Sequence, residues 1–136
     1  MIALLLLAAA LDPAEVTNGQ YRRCVEARAC SPAAFEDPRS AANFKTGKSE
    51  NAAAYRAVAG DDQPAVGVSW SDAAAYCKWS GKRLAALRDL NGLKPGVALW
   101  LADAVGKKRA VRGGGSRRAE EPGARAHWLS FRCAAR

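Results

Sequence analysis

The sequence has a single histidine, His127, and none of its four cysteines stands three positions from another in a CxxC pattern. Structural zinc sites join cysteine and histidine ligands at short, regular spacings, so the sequence argues against zinc. His127 could act as a general base, but no cysteine or obvious serine partner accompanies it. We therefore interpret His127 as a surface histidine or one with satisfied hydrogen bonds, and we predict no catalytic residue.

The sequence also lacks an apolar run of the roughly 20 residues that a membrane-spanning helix requires, so we predict no transmembrane segment. Residues 1–10 are apolar and end in alanines, as signal peptides often do, although no Lys or Arg precedes the run. The alternative is a buried first strand or helix. Because residues 11–13 are typical of a turn, we interpret residues 1–10 as a signal peptide and residues 11–136 as a single domain. The protein would then be exported to the periplasm or the extracellular space.

Large apolar side chains are also scarce. Aromatic residues make up 7% of the 136-residue chain, and much of its 49% apolar content is alanine, so the core is modest and disulfide bonds are plausible. Four cysteines allow three pairings. Cys24 and Cys30 flank a short segment, whereas Cys77 and Cys133 flank a long one. Export would permit such bonds to form; the alternative is four buried thiols in a cytosolic protein.

Two helices have clear starting signals. Thr17 and Gln20 have the spacing of a capping box, in which each side chain bonds a free backbone N–H of the first turn, and they predict a helix over residues 15–29. Ser69 and Asp72 repeat the pattern at the start of a second helix.

The other elements are less clearly marked. Residues 31–63 are interpreted as a long irregular loop with a helical turn near residues 52–58. A short helix is predicted through Leu84, Leu87 and Leu90. Strands are predicted over residues 64–68, 97–102, 110–112 and 128–134, the last with Leu129, Phe131 and Cys133 alternating against Trp128, Ser130 and Arg132.

Five segments resemble a known family when taken in order. They are EVTNGQY at 15–21, PAVGVSWSDAAAYCKWSGKRL at 64–84, VALWLAD at 97–103, VRGGGS at 111–116 and FRCA at 131–134. The chain resembles the formylglycine-generating enzyme, or sulfatase-modifying factor, family. The resemblance implies an irregular, C-type-lectin-like α+β fold with two or three helices on a small antiparallel sheet. It also implies a disulfide between Cys77 and Cys133.

The chain departs from the family at the metal sites. Formylglycine-generating members bind copper through two cysteines between the RGGS-like turn and the FRCA-like strand, and residues 117–130 here contain none. Iron-dependent members need several histidines, and this chain has one. The position of a carboxylate near the family's calcium is occupied by Leu99, which cannot bind a hard cation. We therefore predict no copper, iron or calcium cofactor and no metal-binding residue.

These departures predict a non-catalytic member of the family, exported and acting as a binding module through its loops. The alternative within the same family is an oxidase or nonheme iron enzyme with an altered site. The ligand would be an unidentified protein, peptide or glycan.

Charge indicates a further alternative. The formal net charge is +8, and after residue 106 nine Lys and Arg residues face two glutamates. Such a basic region attracts polyanions, although it can equally be a solvated arginine-rich face. The glycines at 113–115 could wrap an anion, but we interpret them as a tight bend. The candidate contact surface joins residues 31–63 to the 113–128 loop, with the side chains of Arg117, Arg118, Arg125, His127 and Trp128.

Overall fold

The computed structural model describes residues 10–43, 45, 50–115 and 118–136. The described residues form four helices and six short strands. In chain order these are α1 (Asn18–Glu26), α2 (Glu50–Arg56), α3 (Trp70–Trp79), β1 (Arg83–Leu84), α4 (Leu87–Leu90), β2 (Ala98–Val105), β3 (Lys108–Arg112), β4 (Ala119–Glu120), β5 (Leu129–Phe131) and β6 (Cys133–Ala134).

The first helix begins as its capping box predicts. The backbone N–H of Gln20 donates to the Thr17 hydroxyl at 3.1 Å, and the Thr17 N–H donates to the Gln20 side chain at 2.9 Å. The helix is shorter than the predicted 15–29, because Arg28 adopts a left-handed backbone with φ 62°. The disulfide between Cys24 and Cys30 closes the turn that follows.

The third helix also begins at its predicted capping box. Ser69 and Asp72 exchange backbone-to-side-chain hydrogen bonds of 3.2 Å each, and Gly81, with φ 81°, follows the last turn. Cys77 is fully buried on this helix and is bonded to Cys133 of β6. The helix and the last strand are therefore covalently joined.

The strands form two sheets. One has four strands in the order β4-β3-β2-β5, and the other contains β1 and β6. The α+β, C-type-lectin-like fold class is confirmed, but two details need correction. The sheet is mixed, because β5 runs parallel to β2, and the described residues contain four helices instead of two or three.

The four-stranded sheet has apolar clusters on both of its faces. Trp100 packs with Phe131 and the residues of α1 and α3, while Leu99 and Leu101, which alternate with it, pack with Leu90 of α4. All four of these β2 and β5 side chains are fully buried. The predicted strand at 97–102 therefore corresponds to the centre of the fold, and it extends to Val105.

Three predictions of local structure are wrong. Residues 64–68 do not form a strand, since only Pro64 makes an isolated bridge, with Thr17. Leu84 belongs to β1 and pairs with Cys133, so the predicted leucine helix is reduced to α4. The predicted strand at 128–134 is two strands interrupted at Arg132, and Ser130 is as fully buried as its neighbours.

Within the described ranges, no helix combines the length and apolar character needed to cross a bilayer. The signal-peptide prediction falls almost wholly on residues 1–9, which lie outside the described residues. Ala10 is described, and its carbonyl oxygen accepts a hydrogen bond from the backbone N–H of Ala135 at 2.7 Å.

Candidate functional site

All four cysteines of the chain are disulfide-bonded, as Cys24–Cys30 and Cys77–Cys133. The sulfurs of three of them are part of the buried core. Copper(I) in the family's oxidase chemistry requires thiolate ligands, because soft metals bind deprotonated sulfur. The cysteines present here do not fit that requirement.

The other donors fit the family's metals no better. Among the described residues, no three His, Cys, Asp or Glu side chains come together in a metal-binding group. Leu99, which the resemblance is expected to place at the family's calcium-site carboxylate, is fully buried in the apolar cluster that contains Leu90 and Leu101. We derive no chemical step through copper, iron or calcium for these reasons.

Arg125 joins the 113–128 loop to the long loop near Asp37. Its guanidinium lies 3.6 Å from the Asp37 carboxylate and 3.5 Å from the carbonyl oxygen of Pro32. The pKa of Asp37 is lowered, mainly by a hydrogen bond from the Arg39 backbone N–H and also by the nearby guanidinium groups. The backbone carbonyl of Arg125 accepts a hydrogen bond from the Tyr55 hydroxyl at 3.3 Å, and burial raises the pKa of Tyr55 to about 12.

His127 belongs to the same neighbourhood. Its ring meets the ring of Tyr55 edge-on, with centroids 5.9 Å apart, and both His127 and Trp128 are half-buried. The structure thus brings Arg125 and His127 against the 31–63 region. Arg117 lies outside the described residues, and Arg118 lines a different cavity. Ligand binding by these five residues stays a prediction.

A second region, which the sequence did not single out as one site, has the largest cavity among those described. We call it the basic groove; its volume is about 700 Å³. It lies between α4 with the turn that follows and the glycine bend after β3. Its lining residues are Leu87, Arg88, Leu90, Asn91, Gly92, Leu93, Lys94, Pro95, Arg112, Gly113, Gly114, Gly115 and Arg118.

The glycine bend forms one wall of the basic groove by close backbone contact. Gly113 has φ 90°, and a Cβ atom there would lie 2.5 Å from the Pro95 carbonyl oxygen. A Cβ on Gly114 would lie 2.8 Å from the backbone nitrogen of Ala98. Only glycine permits this approach, because any side chain would push the bend away from β2. Arg112 also binds the Arg118 carbonyl at 3.1 Å across the bend.

All the charged residues that line the basic groove are cationic. Four cationic residues line it, and the lining contains no Asp or Glu. They come from separate segments: Arg88, Lys94, Arg112 and Arg118. The nearest acidic residue in sequence, Asp89, is directed elsewhere, because its carboxylate binds the guanidinium of Arg83 and the backbone N–H of Ala86.

A smaller cavity of about 350 Å³ extends the cationic surface. We call it the side groove. It shares Arg88 with the basic groove, and its other lining residues are Trp70, Ala74, Lys78, Lys82, Arg83, Leu84, Ala86, Ala102 and Arg136. Two of its cations are neutralised, Lys82 by Asp12 at 2.6 Å and Arg83 by Asp89. The indole N–H of Trp70 donates to the Leu101 carbonyl at 2.9 Å, which fixes the wall formed by α3.

Comparison with known proteins identifies a family. The family model described as the sulfatase-modifying factor enzyme 1-like domain matches residues 6–116. No curated protein matches the chain. The matched range includes the 15–21, 64–84, 97–103 and 111–116 segments and ends before the strand that carries Cys133.

Proposed function

The chain belongs to the sulfatase-modifying factor enzyme 1-like domain family, and we propose that it is a member that binds a ligand without catalysing metal-dependent oxidation. The observation that carries this proposal is the state of the cysteines. Each of the four sulfurs is bonded to another sulfur, so the folded protein has no thiolate to offer to copper or to a substrate.

The single histidine supports the same proposal. Nonheme iron sites use several histidine or carboxylate ligands with open positions, and the described residues bring no such set together. His127 instead packs edge-on against Tyr55. What remains of the family architecture is a disulfide-bonded framework with surface loops, and loops on a rigid framework are where binding residues commonly lie.

Two surfaces are available for a ligand in this proposal. One consists of the contact between the 31–63 and 113–128 loops, where Arg125, His127 and Trp128 lie. The other is the basic groove, to which Arg118 belongs. The guanidinium of Arg125 already contacts the Asp37 carboxylate and the Pro32 carbonyl oxygen, so we favour the basic groove as the binding site.

We also propose that the protein is exported. Two disulfides in a small core are typical of oxidising compartments, and they are rare in the reducing cytosol. Expression with and without the first ten residues, followed by fractionation and thiol counting, tests it. A full-length protein that stays in the cytosol with four free thiols contradicts the proposal.

The proposed lack of oxidase chemistry is tested on the purified, disulfide-intact protein. After incubation with Cu(I) or Fe(II) and desalting, we expect no stoichiometric metal and no oxygen consumption with a cysteine-containing peptide. A known copper-thiolate protein, treated in parallel, shows that the loading conditions work. Stoichiometric metal together with metal-dependent oxygen consumption would establish the alternative, an oxidase or nonheme iron enzyme with an altered site.

Polyanion binding is a second candidate function, favoured by the net charge of +8 and by the two cationic grooves that share Arg88. Binding of this kind falls steeply with salt, because condensed counterions are released. Retention on heparin that is lost between low and moderate salt, and is weakened by Arg117→Ala with Arg118→Ala, supports it. Retention that does not depend on salt contradicts it.

A further inference from the structure

We propose that the basic groove binds an acidic peptide segment that also carries apolar side chains. The inference rests on the proposed function, that of a binding module, and names the class of its ligand. It is carried by three properties of the groove: its charge, its exposed leucines and the absence of aromatic side chains from its lining.

The charge selects an anionic ligand. Arg88, Lys94, Arg112 and Arg118 line the groove without a carboxylate among the lining residues. Like charges brought together around one concavity raise its positive potential and attract anions. Arg and Lys side chains form charge-assisted hydrogen bonds with carboxylates, which are stronger than those between neutral groups.

The leucines select a ligand with apolar groups. The described residues expose four large hydrophobic side chains, and two of them, Leu87 and Leu93, line this groove with 44% and 46% of their surface accessible. Leu90 and Pro95 continue the apolar part of the lining. A small inorganic anion would leave this surface in water, whereas an apolar side chain of a peptide would cover it.

The same lining favours a peptide over a single-stranded nucleic acid. Single-stranded nucleic acids bind by stacking bases on aromatic side chains, and the residues lining the groove include no Phe, Tyr, Trp or His. The volume of about 700 Å³ is within the usual range for ligand sites, roughly 300–1,000 Å³. It is suited to a short peptide segment.

Arg88 extends the proposed site. It lines both grooves, so a peptide that fills the basic groove can continue along the side groove. Lys78 and Arg136 line that part. Longer acidic peptides are therefore expected to bind more tightly than short ones.

The test uses a fluorescein-labelled peptide of alternating glutamate and leucine, with fluorescence anisotropy measured at moderate salt on the full chain. Two matched peptides replace the glutamates by glutamine or the leucines by serine. Heparin and single-stranded DNA serve as competing polyanions. We expect the parent peptide to bind more tightly than both matched peptides and than either polyanion.

The protein variants locate the site. Lys94→Glu combined with Arg118→Glu reverses two groove charges and is expected to weaken peptide binding at least about tenfold. The control is Lys107→Glu combined with Lys108→Glu. Both residues are exposed, Lys107 in the β2–β3 turn and Lys108 at the start of β3, and both lie outside the two groove linings. The control makes the same change in net charge and is expected to alter binding less than about twofold. Circular dichroism and unfolding curves verify that both variants fold.

Each contrary outcome overturns the inference in a recognisable way. Equal losses of peptide binding in the two double variants would mean that the net charge of the protein alone attracts the peptide. Equal binding of the serine-substituted peptide would remove the apolar half of the inference, and tighter binding of heparin or DNA would favour the polyanion function. Absence of peptide binding by a protein without oxidase activity would overturn this inference only, whereas metal-dependent turnover would overturn the proposed function itself.

Discussion

The side-chain nitrogen of Asn18, in the first turn of α1, donates a hydrogen bond of 2.9 Å to the carbonyl oxygen of Val58, which lies 40 residues further along the chain. The same nitrogen donates to Gly60 at 2.9 Å, and the side-chain oxygen accepts from the Val66 N–H at 3.3 Å. One buried amide therefore fixes the end of the long loop against the first helix.

Asn18→Ala should break this connection between the end of the long loop and α1. The substitution removes the side-chain partner of the Val58 carbonyl and of the Val66 N–H in a largely buried site, whereas the Gly60 carbonyl still accepts from the Gln63 N–H. We therefore expect a loss of about 3 kcal/mol in the free energy of unfolding. Urea denaturation measures the loss, and hydrogen exchange should accelerate over residues 58–66. Asn51→Ala is the control, because Asn51 is exposed on α2 and should change stability by less than about 0.5 kcal/mol. Equal effects of the two substitutions would contradict the role given to Asn18.

The two disulfides should differ in their contribution to stability. In the chain-entropy model the bond between Cys77 and Cys133, separated by 56 residues, contributes about 4 kcal/mol. The bond between Cys24 and Cys30, separated by 6, contributes about 2 kcal/mol. In urea denaturation, we expect Cys77→Ala combined with Cys133→Ala to lose correspondingly more stability than Cys24→Ala combined with Cys30→Ala. The reverse order would show that the unfolded chain is not the main site of the effect.

Gly113→Ala tests the glycine bend. The substitution adds a Cβ that would lie 2.5 Å from the Pro95 carbonyl oxygen, in a residue with φ 90°. Gly92→Ala is a matched control, since Gly92 has φ 82° but open space around its Cβ position. We expect the control to lose about 1 kcal/mol from backbone strain. The Gly113 variant should have a melting temperature clearly below that of the control, and it should also bind the acidic peptide more weakly.

Asp89 should make stability depend on pH in the acidic range. Its side chain is 4% exposed and paired with Arg83, and hydrogen bonds from that guanidinium lower its pKa. A carboxyl group with a lowered folded pKa stabilises the protein above its ordinary pKa of about 4. This stabilisation is lost as the pH falls through the folded value.

Asp89→Asn should remove this contribution. We expect a loss of about 2 kcal/mol at neutral pH, with the difference from the parent protein shrinking below about pH 4. Asp62→Asn is the control, because Asp62 is exposed. A difference that persisted unchanged at low pH would assign the effect to packing instead of charge.

Local signals in the sequence were sufficient to predict where the first and third helices begin. The capping boxes at Thr17 and Ser69 involve residues three positions apart, so the pattern contains the whole interaction. The disulfide between Cys77 and Cys133 needed the family resemblance, because four cysteines alone leave three pairings open.

The strand predictions were wrong where the hydrogen-bond partners are distant in sequence. The backbone N–H groups of residues 64–68 bind three different segments: Ala65 binds Val16, Val66 binds the Asn18 side chain and Gly67 binds Ala126. Among the residues that the structure describes, no single strand pairs with this segment, so alternation in sequence cannot predict the arrangement. The predicted alternation was wrong at Ser130 for a related reason. Its strand is covered on both faces, and its buried hydroxyl has no hydrogen-bond partner in the described part of the chain.

The basic groove could not be predicted as a site. Its four cations come from α4, the following turn, the end of β3 and the segment before β4. Contacts between segments that are distant in sequence, such as the hydrogen bond from the Gly114 N–H to the Pro95 carbonyl, bring them together. The sequence did contain one of its features, the glycines at 113–115. They were interpreted as a tight bend, which describes their backbone but not the cavity beside them.

Strand β6 is hydrogen-bonded along both of its sides. Ala134 pairs with Arg83 of β1 on one side and with Leu11 on the other. Unpaired strand edges are templates on which a second chain can add and aggregate. Because both sides of this strand are already occupied within one molecule, the covalently fixed end of the fold is protected from growth into fibrils at that position.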